Sequence, residues 1–322
     1  MGRREEWLRI GVVVVLVAVI AVLFLRDQQD GPERVDDPGP SVPTATDDVR
    51  DVTSAGTPSP TAGASETVPS PPPGLDELVC EQFRQSVRLR VLSFNTHRST
   101  GSLDAVAREI LEVDPDVVLL QEVDREMIRT GGVDQAELLA EAVGMDGSFS
   151  TNLVRGTGGY GTLILSRFPI VQQGRIQLVR SPRAEGRGLQ WVTLEVSGQA
   201  LRVYNTHLDA TRPDVRLAQA RQVAGVVAGD DVPTVLGGDL NAWPGSAAVA
   251  AIGSELTDTW QAAGEGRAAT SRGGRKIDYL FARGLRPLVS RVEESGASDH
   301  DRLWADLRLT PPDTCGSATP SP

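Results

Sequence analysis

Residues 234–241 read TVLGGDLN, an apolar run that stops at an aspartate and, two positions later, an asparagine. A short apolar run bounded by glycines is typical of a buried strand. Asp239 and Asn241 are two apart, so in extended backbone their side chains lie on one side and converge. The segment therefore predicts a core strand over Thr234–Gly238 whose end carries polar groups able to act on one atom.

The same pattern recurs at five other places along the chain. Apolar runs adjoin Asn95, Gln121-Glu122, Asn205-Thr206-His207, Asp278 and Ser298-Asp299-His300. One polar strand end is ordinary loop chemistry, but six of them together indicate a shared site on a rigid scaffold. All three histidines of the chain lie at these strand ends, His97 among them.

Residues 80–315 combine strand-like apolar runs with helical patterns. Helices are predicted at Leu103–Val113, at Gln135–Val143, where Gly144 ends the helix, and at Pro213–Gly229. The predicted strands are 87–95, 116–121, 161–166, 188–196, 201–206, 234–238, 277–282 and 303–309. Mixed strands with interspersed helices over this length predict one layered α/β sandwich domain.

Residues 10–25, IGVVVVLVAVIAVLFL, carry no charge and no polar side chain. With Trp7 and Leu8 the run approaches the ~20 residues of a transmembrane helix. Arginines precede it and acidic residues follow, so the positive-inside rule predicts a cytoplasmic tail over 1–9 and an extracellular domain. No small-residue cleavage site follows the run. A cleaved signal peptide, giving a secreted protein, is the main alternative, and a buried core helix is the weaker one.

Residues 27–74 hold ten of the 21 prolines and no Leu, Ile, Met or aromatic residue. Such a segment buries too little apolar area to offset its ordering entropy. It is predicted to be a disordered linker between membrane and domain, and residues 316–322 a disordered tail. The first 79 residues hold six of the 32 basic and 13 of the 43 acidic side chains. The folded part therefore carries only a small net negative charge, which excludes no class of substrate.

Cys80 and Cys315, the only cysteines of the chain, flank the predicted domain. Two cysteines cannot support a disulfide-dense scaffold or close a structural zinc site unaided. In an oxidising compartment the pair is expected to form a disulfide that joins the two ends of the domain. Two unpaired thiols are the alternative.

Six motifs occur in a fixed order: LSFN at 92–95, LQEV at 120–123, YNTHL at 204–208, GDLN at 238–241, IDY at 277–279 and SDH at 298–300. This order resembles the endonuclease/exonuclease/phosphatase superfamily, whose fold is that of deoxyribonuclease I. The resemblance covers residues 87–309, and together with the predicted transmembrane helix it would make the chain a membrane-anchored bacterial-type member. It implies a four-layer α/β sandwich, two packed mixed β-sheets flanked by helices, and metal-dependent hydrolysis of a phosphate ester.

The resemblance implies a metal site at Asn95 and Glu122, with Asp299 beside it. Carboxylate and amide oxygens without a cysteine ligand suit a hard cation, Mg²⁺ first and Mn²⁺ or Ca²⁺ next. Bound there, the cation would polarise a phosphoryl oxygen and neutralise charge on the leaving oxygen. His97 fits either a structural or a phosphate-contacting role.

The resemblance also places His207, Asp239 and Asn241 around the scissile phosphate and makes His300 the general base, held by Asp278. An imidazole titrates near neutrality, which suits a proton acceptor. Asp239 is expected to orient the attacking water, and His207 and Asn241 to donate to the phosphate. The motifs contain no acid to orient His207.

These features predict a phosphoester hydrolase, most simply a phosphodiesterase, with its catalytic domain outside the cell. The alternative is a catalytically silent relative that uses the cleft to bind a phosphorylated ligand or partner. A silent relative typically lacks the base or the metal-binding acid, and both are present in this chain. Candidate substrates are nucleic acid, a phospholipid head group or a small phosphodiester; besides the lipid bilayer, no obligate protein partner is expected.

Overall fold

The computed structural model describes residues 86–99, 102–182 and 184–310. The predicted transmembrane helix, linker, C-terminal tail and cysteine pair lie outside these described residues. Within the described ranges, no helix has the length and hydropathy needed to span a bilayer.

Strands dominate the part of the chain that the structure describes. They are β1 Val87–Asn95, β2 Val117–Arg125, β3 Asp146–Arg155, β4 Gly158–Ser166, β5 Ile170–Gln177, β6 Gly188–Val196, β7 Gln199–His207, β8 Thr234–Asp239, β9 Thr257–Asp258, β10 Gly264–Glu265, β11 Asp278–Arg283, β12 Leu285–Glu293 and β13 Arg302–Leu309. The helices are α1 Leu103–Val113, α2 Gln135–Val143, α3 Pro213–Ala228, α4 Ala247–Gly253 and α5 Thr259–Ala263.

The strands form two mixed sheets. The first sheet has the order β10-β12-β13-β1-β2-β4-β3, and the second has the order β5-β6-β7-β8-β11-β9. A cluster of fully buried side chains from both sheets, including Leu89, Ile164, Val203 and Leu280, lies between them. The apolar side chains on the inner faces of both sheets are removed from water when the sheets pack, and this burial holds the sheets face to face.

The outer face of each sheet is covered by helices. Val106 and Ile110 of α1 pack with Leu120 and Leu165 of the first sheet. Ala220 and Val223 of α3 pack on the second sheet. The resulting order of helix, sheet, sheet, helix confirms the predicted α/β sandwich of two packed mixed sheets.

Local signals set the helix ends. The Ser102 side chain accepts a hydrogen bond from the backbone N–H of Ala105 and so begins α1. The Asp134 carboxylate begins α2 in the same way. Gly144 ends α2 with a φ of 66°, a left-handed conformation that glycine adopts without a steric penalty.

Strand direction brings the polar strand ends to one edge. β1 and β2 run parallel, as do β7 and β8, so their carboxyl ends meet there. β11 runs antiparallel to β8 and begins at the same edge with Asp278. The Gln121 side-chain amide donates to Asn205 Oδ1 over 2.9 Å, and Asn205 donates to the Leu120 carbonyl oxygen. These bonds join the two sheets directly beneath the edge.

Candidate active site

Three of the predicted site residues form one row across the second sheet. The pairing of β7 with β8 sets His207 opposite Asp239, and the pairing of β8 with β11 sets Asp239 opposite Asp278. All three are buried, and His207 Nε2 lies 3.5 Å from Asp239 Oδ2. Strand register alone therefore brings together three residues that are far apart in sequence.

His300 reaches this row from the segment between β12 and β13. Its Nδ1 lies 2.9 Å from Asp278 Oδ2, and its Nε2 lies 3.8 Å from Asp239 Oδ2. The Ser298 hydroxyl accepts from the His300 backbone N–H and donates to the Asn95 carbonyl oxygen. Ser298 thereby fixes the position of the His300 backbone relative to the end of β1.

Glu122 and Asn95 reach the same place from the first sheet. Glu122 has a φ of 59° at a bulge, where the register of β2 with β4 shifts. The Asn95 amide nitrogen lies 3.3 Å from Glu122 Oε1 and 3.1 Å from Asp239 Oδ2. Asn95 Oδ1 accepts from the His97 backbone N–H. The amide nitrogen of Asn95, rather than its oxygen, therefore points at the two carboxylates.

Asp299 and His97 lie at the mouth of the site. Asp299 Oδ1 is 3.5 Å from His97 Nδ1, and the Asp299 side chain is 47% exposed. Three successive residues, His97, Arg98 and Ser99, have positive φ, a left-handed turn that non-glycine residues rarely adopt. The turn brings Arg98 Nε to 3.6 Å from Glu122 Oε2.

Asn241 lies close to Asp239, as its spacing predicts. Its backbone N–H donates to Asp239 Oδ1 over 2.8 Å, and its side-chain amide donates to the Leu208 carbonyl oxygen. An asparagine amide has a second N–H to donate.

The site holds an excess of negative charge. Burial, followed by the neighbouring carboxylate of Asp278, raises the pKa of Asp239 to about 7. Burial alone would lower the pKa of His300, but the charge and hydrogen bond of Asp278, helped by Asp239 and Asp299, raise it to about 10. Without a cation, the acids around His300 therefore favour its protonated form.

The residues of this site fit a divalent cation. Ligand atoms of Asp239, Asp278 and His300 all lie within 4.8 Å of one another. Asp278 Oδ1 is buried and lacks a hydrogen-bond partner among the described residues. A buried acceptor without a donor, beside an acid whose pKa is raised, is stabilised by a positive charge. The predicted metal ligand Glu122 lies outside this group, and the Asn95 amide links it to Asp239.

One residue of the site has no counterpart in the motifs. Arg187, buried just before β6, places its Nη1 3.1 Å from His207 Nδ1. An acid was expected beside His207 to orient its ring, and in the structure the Arg187 guanidinium occupies that position. Burial, with the charges of Arg187 and His300, holds the pKa of His207 well below its usual value. The glycines at 186 and 188 are the one local signal that this arginine is special.

A two-sheet α/β sandwich with carboxylates, amides and a histidine–aspartate pair at one edge is the architecture of a phosphoester hydrolase. The chain belongs to the Endonuclease/Exonuclease/phosphatase family, whose profile matches residues 92–300. A search among curated proteins finds no match to the chain.

Solved structures share the fold. An endonuclease/exonuclease/phosphatase from Beutenbergia cavernae is 27% identical with a TM-score of 0.59, covering 69% of this chain and 72% of its own. The mannosyl-6-phosphatase of Bacteroides thetaiotaomicron is 20% identical with a TM-score of 0.58, covering 68% and 99%. The 2′,3′-cyclic phosphatase ANGEL2, solved with adenosine-2′,3′-vanadate, is 17% identical with a TM-score of 0.57, covering 70% and 96%.

Proposed function

We propose that the protein is a divalent-metal-dependent hydrolase of phosphate esters, acting on a phosphodiester. The observation that carries the proposal is the His300–Asp278 pair facing Asp239, with His207 on the other side of that carboxylate. A positioned base, a water-orienting acid and a hydrogen-bond donor around one point are sufficient for attack of water on phosphorus. No covalent nucleophile is required.

His300 is proposed as the base. Asp278 accepts from its Nδ1–H, which leaves Nε2 directed at Asp239 and able to take a proton from the attacking water. Asp239 is proposed to orient that water. A base must be neutral, so the negative charge that keeps His300 protonated has to be offset.

A divalent cation supplies that offset when bound, and it polarises a phosphoryl oxygen. Glu122 and Asn95, with Asp299 at the mouth, are the proposed ligands, and Mg²⁺ is the proposed ion because the donors are hard oxygens. Asn95 meets this role by presenting its oxygen after its amide turns over, since in the structure that oxygen accepts from the His97 backbone.

His207 and Asn241 are proposed to hold the phosphate. His207 presents Nε2 to Asp239 Oδ2. Asn241 keeps one amide hydrogen for a phosphoryl oxygen, because the other is bonded to the Leu208 carbonyl. Donors that are already in place before reaction stabilise the charge that develops on phosphorus oxygens.

The substrate class is proposed from the family. Proteins that share the fold include one named as a mannosyl-6-phosphatase and one named as a 2′,3′-cyclic phosphatase. For this chain the proposed substrates are nucleic acid, a phospholipid head group or a small phosphodiester.

The proposed location is the outer face of the cell membrane, with residues 10–25 as the anchor. The apolar run and the arginines before it support this topology. Peptide sequencing of the mature N-terminus tests it, and a start near residue 30 would replace the anchor by secretion.

The Cys80–Cys315 disulfide rests on the same topology and stays a prediction. In the denatured, non-reduced protein neither thiol should react with an alkylating reagent. Two alkylated cysteines would refute the bond and weaken the case for an oxidising compartment.

The activity is tested on the full-length protein purified in a nonionic detergent. The substrates are single- and double-stranded DNA, RNA, phospholipid vesicles, bis-p-nitrophenyl phosphate and p-nitrophenyl phosphate, each with Mg²⁺, Mn²⁺, Ca²⁺ or EDTA. Hydrolysis that needs a cation and is lost in His300→Ala supports the proposal. Hydrolysis that persists in EDTA or in His300→Ala refutes the site, and tight binding without turnover favours the silent relative.

A further inference from the structure

The guanidinium of Arg187 lies directly behind the ring of His207. Arg187 Nη1 is 3.1 Å from His207 Nδ1 and 3.1 Å from Glu185 Oε1. The side chains of Arg187 and His207 are 7% and 4% exposed, so water does not compete for this contact.

Two glycines flank Arg187 where the chain passes close to β3. A Cβ on Gly186 would lie 2.3 Å from the Asn152 carbonyl oxygen, and one on Gly188 would lie 2.6 Å from Asn152 Oδ1. The segment therefore lies tightly against β3 on its glycine side. β6 and β7 are neighbours in the sheet, and from this segment at the start of β6 the Arg187 side chain reaches His207 at the end of β7.

The chemistry of arginine fixes the direction of the hydrogen bond. A guanidinium has five N–H donors and no acceptor, and it stays charged in proteins. His207 Nδ1 must then accept, which places the ring proton on Nε2. That Nε2 faces Asp239 Oδ2.

The two histidines of the site have partners of opposite charge at the same ring nitrogen, Nδ1. Asp278 accepts from Nδ1–H of His300, so in the neutral ring that the proposed base requires, Nε2 is the acceptor. Arg187 donates to Nδ1 of His207 and leaves Nε2–H as a donor. One ring is suited to take a proton and the other to give a hydrogen bond without losing its proton.

We propose that Arg187 is a positioning residue that holds His207 in the Nε2–H tautomer, so that His207 serves as a fixed hydrogen-bond donor to the phosphoryl oxygen. The role of His207 as a donor to substrate rests on the proposed function, whereas its tautomer does not depend on that function. A carboxylate behind the ring would favour a protonated histidine able to act as an acid, and the arginine prevents this.

The tautomer is tested by long-range ¹H–¹⁵N NMR of the full-length protein, labelled at its three histidines and kept in EDTA at pH 8. His207→Gln identifies the His207 signals. We expect a pure Nε2–H pattern for His207 in the wild type and in Arg187→Lys, and a mixture with the other tautomer in Arg187→Met. Arg212→Met, which removes an exposed arginine paired with Asp214, should leave the pattern unchanged. An Nδ1–H pattern in the wild type, or no change in Arg187→Met, overturns the proposal.

Kinetics test whether Arg187 acts through His207. Loss of a preorganised donor in His207→Gln should lower kcat by about 10²–10³-fold. Arg187→Met should lower kcat by about 10–100-fold, the usual effect of losing a residue that orients another, and Arg187→Lys should restore most of the rate. In the His207→Gln background, Arg187→Met should lower kcat by less than threefold. If the two substitutions lower kcat independently, so that their effects multiply, or if Arg187→Met changes only KM, then Arg187 contacts the substrate directly and the positioning role is overturned. A wild type without hydrolysis refutes the proposed function and leaves the NMR result intact.

Discussion

Replacing Asp239 by asparagine removes a negative charge that the fold buries beside another carboxylate. Asp239 is 2% exposed, and it faces Asp278 across the strand pair. Its raised pKa shows that the folded protein, without a cation, holds the charged form less well than water does. We therefore expect Asp239→Asn to stabilise the metal-free protein while abolishing its activity.

The magnitude follows from the pKa. The pKa of Asp239 rises from 3.8 to about 7 on folding, and each pKa unit corresponds to ~1.4 kcal/mol, which gives about 4 kcal/mol above pH 7. The substitution replaces an acceptor for the Asn95 amide by a second amide donor, which costs about 1 kcal/mol. Asparagine still accepts from the Asn241 N–H. The net gain of about 3 kcal/mol corresponds to a rise of roughly 6–12 °C in Tm for a domain of this size.

The pH dependence has a definite sign. Because the folded pKa of Asp239 lies above the unfolded value, its contribution to stability is fully present below pH 3.8 and is lost as the pH rises to about 7. The difference in Tm between Asp239→Asn and the wild type should grow over that window and stay constant above it. Circular dichroism melts in EDTA at pH 5, 6, 7 and 8.5 measure this difference.

Asp306 offers a matched control, since it is also 2% exposed. Burial raises the pKa of Asp306, but hydrogen bonds and charges of Arg90 and Arg88 outweigh it and lower the pKa below the usual value. Its contribution is present above pH 3.8 and lost as the pH falls, so Asp306→Asn should lower Tm at pH 8.5. If Asp239→Asn also melts below the wild type at pH 8.5 in EDTA, the reasoning about excess charge is wrong.

Further outcomes follow from the other contacts. Glu122→Gln should weaken Mg²⁺ dependence and lower the rate together, as a titration of activity against Mg²⁺ would show, because a neutral amide binds the ion poorly. His300→Ala should lower kcat by about 10²–10⁴-fold with the fold intact by circular dichroism, and Asp278→Asn by less, because the ring remains. His97→Ala should lower kcat much less in the same assay. An equal loss of kcat would contradict the assignment of His300 as the base. Gln121→Leu should lower the free energy of unfolding in urea by about 1–3 kcal/mol, since it leaves a buried amide unpaired.

The strands with continuous apolar runs could be predicted from the sequence, because burial on both faces leaves little choice of residue. β1, β8 and β13 belong to this group. The sequence did not predict β5, an edge strand with polar side chains, or β12, where Pro287 interrupts the pattern at a register shift. Such strands form because a neighbour offers unpaired backbone groups, which periodicity does not report.

The candidate site was predictable where each residue ends a buried strand, as Asp239 and His207 do. Arg187 was not, because its contact with His207 depends on the pairing of β6 with β7 and on glycines that lie against β3. The sequence also predicts that the Asn95 oxygen faces the metal, whereas the structure turns its nitrogen toward the carboxylates. That orientation is set by the His97 backbone N–H, which only the left-handed turn brings within reach.

The candidate site is divided between two sheets, with Glu122 on one and Asp239 on the other, and the Gln121–Asn205 amide bond crosses between them. A shift of one sheet along the other would change the separation of the two carboxylates without breaking either sheet. The rate of the proposed hydrolysis should therefore depend on how well the interior is packed. We therefore expect a truncation such as Leu280→Ala, in the layer between the sheets, to lower the rate by shifting one half of the site relative to the other.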